Sequence, residues 1–176
     1  MTPPSSWLDV TYPITERMVV WPGQPATQRQ RVNRLEAGDT ANVSVLQMSL
    51  HTGTHMDAPR HFFTEGGDIT HAPLEAGMGS ARVAQIGGES ISRTAIETYE
   101  HRSRPLQSGE RILFRTDNSS YNWLEETFDK DYVAVFPEAA QYLADKGVGL
   151  VGVDYFSIAP FSNATDTHRI LLGSGV

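Results

Sequence analysis

Short apolar runs separated by glycine, proline and small polar residues recur along the chain, and their spacing predicts alternating strands and helices. Residues 7 to 14 and 28 to 35 predict strands, joined by the turn Trp21-Pro-Gly-Gln-Pro25, where two prolines and a glycine exclude regular structure. Residues 42 to 50, Asn-Val-Ser-Val-Leu-Gln-Met-Ser-Leu, predict a further strand in which Val43, Val45 and either Met48 or Leu50 face a core. Residues 81 to 86, 111 to 115 and 132 to 136 also predict strands. Leu150-Val-Gly-Val is a continuous apolar run suited to a sheet buried on both faces, and it ends on Asp154, an acid suited to capping or to supporting a ligand. Ser92 predicts the N-cap of a helix, with Ile91 before it and Ala95, Ile96 and Tyr99 along one side. Pro137 predicts the first residue of a second helix that runs to Lys146 and stops at Gly147. The pattern is that of one α/β domain with a mixed sheet.

The densest chemistry follows the 42 to 50 strand, in His51-Thr-Gly-Thr-His55-Met-Asp57-Ala-Pro59-Arg-His61-Phe62. Three imidazoles and a carboxylate in one short stretch supply the nitrogen and oxygen donors that zinc or manganese prefers. Gly53 allows the backbone to turn, and the Thr54 hydroxyl can bond neighbouring backbone or a ligand carboxylate. His55 and Asp57, two apart, project to one side if the segment is extended, and the turn can fold His51 back towards them. Pro59 stiffens the exit and pushes Ala58 towards extended geometry. By contrast, His71 sits in a loop and reads as structural, and His101 reads as a helix-end cation.

Composition narrows the function. The 176 residues are enough for a single domain with a substantial core. With 14 basic against 21 acidic residues the net charge is −7, which argues against a nucleic-acid partner. There is no cysteine, so neither disulfides nor a thiolate metal site is available. No secretory start and no run of membrane-spanning length occurs, so no membrane partner and a cytoplasmic location are expected. The Asn-x-Ser/Thr matches at Asn42, Asn118 and Asn163 read as chance. No Gly-x-Ser-x-Gly elbow is present either, which leaves activated water as the candidate nucleophile for hydrolysis.

The His51 to Phe62 stretch resembles the signature of the cyclase-like metal-dependent hydrolases, the family that includes bacterial kynurenine formamidase and isatin hydrolase. Further likenesses are Trp7-Leu-Asp-Val-Thr-Tyr-Pro-Ile, Val20-Trp-Pro-Gly, Leu150-Val-Gly-Val-Asp-Tyr-Phe-Ser and Asp166-Thr-His-Arg-Ile-Leu-Leu. The resemblance implies a β/α/β cyclase-like fold with its site at strand ends. It implies His51, His55 and Asp57 as ligands of a first ion, Zn²⁺ or Mn²⁺, and His168 as a ligand of a second. It further implies His61 as general acid/base, with Trp21 and Phe62 lining the substrate site. The family pattern also has a glutamate beyond the late histidine, past the end of this sequence at Val176. The expectation is therefore a tail beyond this sequence or a one-metal enzyme, with any second ion weakly held. The implied reaction is arylformamide hydrolysis, as in N-formylkynurenine to kynurenine and formate in tryptophan catabolism, by a homodimer or homotetramer. Opening of a cyclic amide such as isatin is the alternative, and a non-catalytic metal-dependent binding protein is the alternative of another class.

Overall fold

The computed structural model describes residues 7–122, 124 and 127–176. Residues 1–6, part of the start read above as non-secretory, lie outside the described residues. The chain divides into two compact units, Met1–His55 with Trp123–Phe128, and Met56–Asn122 with Asp129–Val176. Among the described residues no helix is long and apolar enough to cross a membrane.

In the smaller unit, β1 (Gln28–Asn33) pairs antiparallel with β2 (Val43–Gln47), Gln28 opposite Gln47. Both strands arise where the alternation predicts them. Their burial does not, because a two-stranded ribbon supplies no second layer to cover a face. Val43 and Val45 are 44% and 52% exposed and Leu50 is 86% exposed, so none of them faces a core. The Trp21 turn forms as predicted, closed by Gln24 N–H donating to the Trp21 carbonyl at 3.0 Å. Residues 7 to 14, by contrast, form no strand. Local bonds take their polar groups instead: Asp9 Oδ1 accepts from both the backbone N–H and the hydroxyl of Thr11.

The larger unit holds a parallel sheet in the order β3 (Ala81–Gln85), β4 (Arg111–Arg115), β5 (Leu150–Val153), with Ala81 opposite Arg111 and Arg111 opposite Leu150. Parallel and antiparallel ladders are thus both present, in two separate sheets. α1 (Arg93–Arg102) and α2 (Pro137–Asp145) begin as predicted, with Ser92 Oγ accepting from Ala95 N–H and with Pro137 in the first helical position. Ile91, Ile96, Ile112, Phe114, Val135 and Leu143 are almost fully buried and form the centre of the core. Residues 132 to 135 are buried and Phe136 is exposed, and the segment makes a single bridge, Ile91 to Val135, instead of the predicted ladder strand. The Asn118 side chain occupies the backbone groups a ladder partner would take, bonding Val133 N–H at 2.9 Å and Val133 C=O at 2.8 Å. Asp154 accepts from Thr116 N–H and Oγ, tying the ends of β4 and β5 together.

The placement of α3 (Ala164–Gly173) matters most for the site. Thr167 is fully buried, and its hydroxyl donates to the Val135 carbonyl at 2.9 Å. That bond sets the rotation of the helix. The following residue, His168, is carried inward as a result, with 4% of its surface exposed.

Glu100 is a buried carboxylate that joins α1 to α2. Burial pushes its pKa up, but the Tyr142 hydroxyl, the Leu106 N–H and the Lys146 ammonium outweigh burial and hold it below the ordinary 4.5. A folded-state pKa below the unfolded one means stability that is present above the unfolded value and is lost as pH falls through the folded value. Glu100→Gln is therefore expected to cost about 1–3 kcal/mol at pH 7. Urea unfolding of both proteins should show the gap closing as the pH drops below 4.5; a gap independent of pH would mean that the carboxylate charge contributes nothing.

Candidate functional site

In the smaller unit, the turn carrying His51 and His55 is held from beneath. Gly53 has φ of 66°, and a Cβ there would sit 3.5 Å from Ile14 Cγ1 and 3.6 Å from Met18 Cε, so the backbone lies directly on apolar side chains. Thr54 Oγ accepts from Tyr12 N–H at 2.9 Å, the backbone role open to it from sequence. The His51 and His55 rings meet edge to face, 5.2 Å between centroids. His55 Nδ1 lies 2.9 Å from the Gly53 carbonyl. A carbonyl only accepts, so Nδ1 carries the proton and a neutral His55 presents its lone pair on Nε2. Trp21 packs edge to face on Phe128, 5.1 Å between centroids.

In the larger unit, Ala58 is extended (φ −95°, ψ 157°) ahead of Pro59, as the residue before a proline must tend to be, and Pro59–His61 forms a 3-10 turn. Arg60 N–H donates to the Gly67 carbonyl at 3.0 Å. Gly66 packs so closely that an added Cβ would lie 2.6 Å from Pro59 C and 2.7 Å from Arg60 N. The turn exposes His61 and half-buries Phe62. Across from it, His168 Nδ1 is 2.5 Å from the Ala164 carbonyl and Nε2 is 3.3 Å from Asp57 Oδ2. This histidine too has its proton committed to a carbonyl. Its Nε2 can face the carboxylate favourably only through a proton or a cation between them. His61 meets His168 at 5.9 Å, and Phe62 lies on both.

The larger unit therefore brings together Asp57, His61, Phe62 and His168, and the smaller unit brings together His51 and His55. The remaining two described histidines stay outside these groups: His71 bonds Asp68 Oδ1 at 3.0 Å on the surface, and His101 is exposed in the last turn of α1. Sequence reasoning missed the Gly53 and Ala164 carbonyls and the anchoring Thr167. The Ala164 acceptor had a readable signal, since it lies one helical turn before His168.

In the larger unit an imidazole with one nitrogen tied to backbone faces a carboxylate, His168 against Asp57, which is donor chemistry of the class that binds divalent cations. The family follows from comparison: the model of the family described as putative cyclase matches residues 8–160, and the chain belongs to that family. A kynurenine formamidase of Bacillus cereus is 34% identical over 175 residues, covering 98% of this chain and 79% of that protein. A solved structure described as a potential metal-dependent hydrolase with cyclase activity has a TM-score of 0.77 at 33% identity, covering 96% of this chain and 77% of its own. Isatin hydrolase A from Labrenzia aggregata has a TM-score of 0.73 at 20% identity, covering 96% and 77%, and shows the shared fold.

The contact of Gly66 with backbone at Pro59 and Arg60 predicts that Gly66→Ala forces the His61 turn to shift, with a loss of about 1–3 kcal/mol. The denaturant midpoint measures it. An unchanged midpoint would mean that the close approach is relieved without cost.

Proposed function

We propose that this chain is a metal-dependent amide hydrolase of the arylformamidase type, acting on N-formylkynurenine to give kynurenine and formate. What carries the reading is the donor chemistry: His55 and His168 each give Nδ1–H to a backbone carbonyl, which puts the lone pair of the neutral ring, the pair that ligates cations, on Nε2. Zn²⁺ fits this nitrogen-rich set best and Mn²⁺ second. The match to a kynurenine formamidase over 98% of the chain supports the substrate class.

In this reading His51, His55 and Asp57 hold the first ion, and Asp57 with His168 supplies donors towards a second. When bound, such an ion supplies Lewis-acid chemistry that makes water a competent nucleophile at neutral pH. His61 takes the proton of the attacking water and delivers it to the aryl nitrogen as the carbon–nitrogen bond breaks. Formate then leaves with one oxygen from water. The exposure of His61 supports the role, because the water whose proton it takes must reach the ring. Trp21 offers a flat aromatic surface for the planar substrate.

A panel of N-formylkynurenine, isatin and simple formanilides, assayed with and without added Zn²⁺ or Mn²⁺, tests the reading. Metal-dependent release of formate is expected, and a preference for isatin would move the substrate to the cyclic amides. Metal bound without turnover of any panel member would instead make the chain a binding protein. His51→Ala and His55→Ala are expected to lose both metal and activity. His61→Ala is expected to keep the metal and lose about 10² or more in kcat. Elemental analysis beside the assay separates the two cases: loss of metal in proportion to activity would make His61 a ligand.

A further inference from the structure

Phe62 lies against two histidines of the site at once. Its ring stacks on His168 with centroids 4.4 Å apart and planes 19° from parallel, and it meets His61 edge to face at 4.5 Å and 73°. The two imidazoles are themselves nearly perpendicular, at 88°. One aromatic plane therefore serves as a reference for both rings.

A buried imidazole has one torsion left to define once its Cγ is placed. For His168 the Ala164 carbonyl restrains it from one side, at Nδ1, and the face of Phe62 restrains it across the ring. Together they aim Nε2 at Asp57 Oδ2. The next residues lock Phe62 in turn. Arg169 donates weakly to the Phe62 carbonyl at 3.4 Å, and its guanidinium lies 5.5 Å from the centre of the Phe63 ring. Gly173 lets Phe63 close on α3, since a Cβ there would come within 3.3 Å of Phe63 Cζ. The turn and the helix are thus joined at His168, Arg169 and Gly173.

We propose that Phe62 is a positioning residue that sets the ring planes of His61 and His168, and not a wall against which the substrate lies. The face turned to His168 is occupied by that stack and is closed to a ligand. The proposal rests on the reading that His61 and His168 act at the site, and it concerns their orientation only.

The test compares Phe62→Leu, which keeps apolar bulk without a flat face, with Phe62→Trp, which restores one. Imidazole NMR of the metal-free protein reads the geometry with no substrate present. The His168 ring protons are expected upfield in wild type, from the current of the stacked ring, with its Nδ1–H tautomer dominant. In Phe62→Leu both features are expected to be lost, and in Phe62→Trp to be kept. In the assay Phe62→Leu is expected to lose about 10- to 10²-fold in kcat, with KM unchanged within about twofold across amides of different size. Phe62→Trp is expected to recover most of that loss. A raised KM that grows with the aromatic surface of the substrate, alongside an unaltered His168 spectrum in Phe62→Leu, would overturn the proposal in favour of a substrate wall. Thermal melts of both variants identify general unfolding, in which case Phe62→Trp alone decides: a displaced His168 spectrum in a folded Phe62→Trp overturns it. Should no amide be hydrolysed, the reaction assignment fails while the spectra still decide the role of Phe62.

Discussion

An imidazole has two nitrogens, and the one given to the backbone decides which is left for chemistry. At His55 and His168 a carbonyl oxygen accepts from Nδ1, so the lone pair of the neutral ring is on Nε2. A carbonyl suits this task because it is fixed by the main chain and has no alternative protonation state. For His55 the acceptor lies two residues back across the Gly53 turn, and for His168 four residues back in the same helix. Both are local devices. Each needs its backbone to be held, and at His168 the stacked ring of Phe62 adds a second restraint.

The rest of the larger unit can be read as the means of holding it. Thr167 anchors α3 to Val135, Val135 bridges to Ile91, and Ile91 precedes the cap of α1. A short extended segment thereby connects two helices to the orientation of one imidazole. On the other side, the backbone contact of Gly66 with Pro59 leaves the His61 turn little freedom. In a close-packed interior such contacts transmit displacement instead of absorbing it. Residues far from any donor atom consequently belong to the physical definition of the site.

The chemistry was legible in the sequence because it is concentrated: the donors from His51 to His61 and the Gly-Thr turn all lie in one stretch. Helix starts were legible for a similar reason, since the cap at Ser92 and the proline at 137 act within a single turn. What was not legible depends on partners that periodicity does not name. Residues 7 to 14 alternate like a strand, yet Asp9 and Thr11 satisfy each other and no ladder forms. Val43 and Val45 fall where a buried face was expected, but the ribbon that carries them has no covering layer. Residues 132 to 136 are as apolar as β4, while the Asn118 amide takes the Val133 backbone groups that a neighbouring strand would have used. The stack of Phe62 on His168 joins residues more than a hundred positions apart, so no local pattern contains it.

Burial separates the histidines along the line their proposed roles require. His168 is nearly inaccessible, paired through Nε2 with Asp57 and covered by Phe62. Such a ring can hold a cation out of contact with bulk water. His61, one residue before Phe62 and in contact with the same ring, is exposed. A base that takes its proton from the attacking water must be reached by water, which favours the residue that solvent reaches. A ligand must keep its lone pair free of competing protons and waters, which favours the residue that solvent does not reach. The two proposed roles place opposite demands on accessibility, and a single aromatic side chain between an exposed turn and a buried helix would let both be met with the two rings 5.9 Å apart.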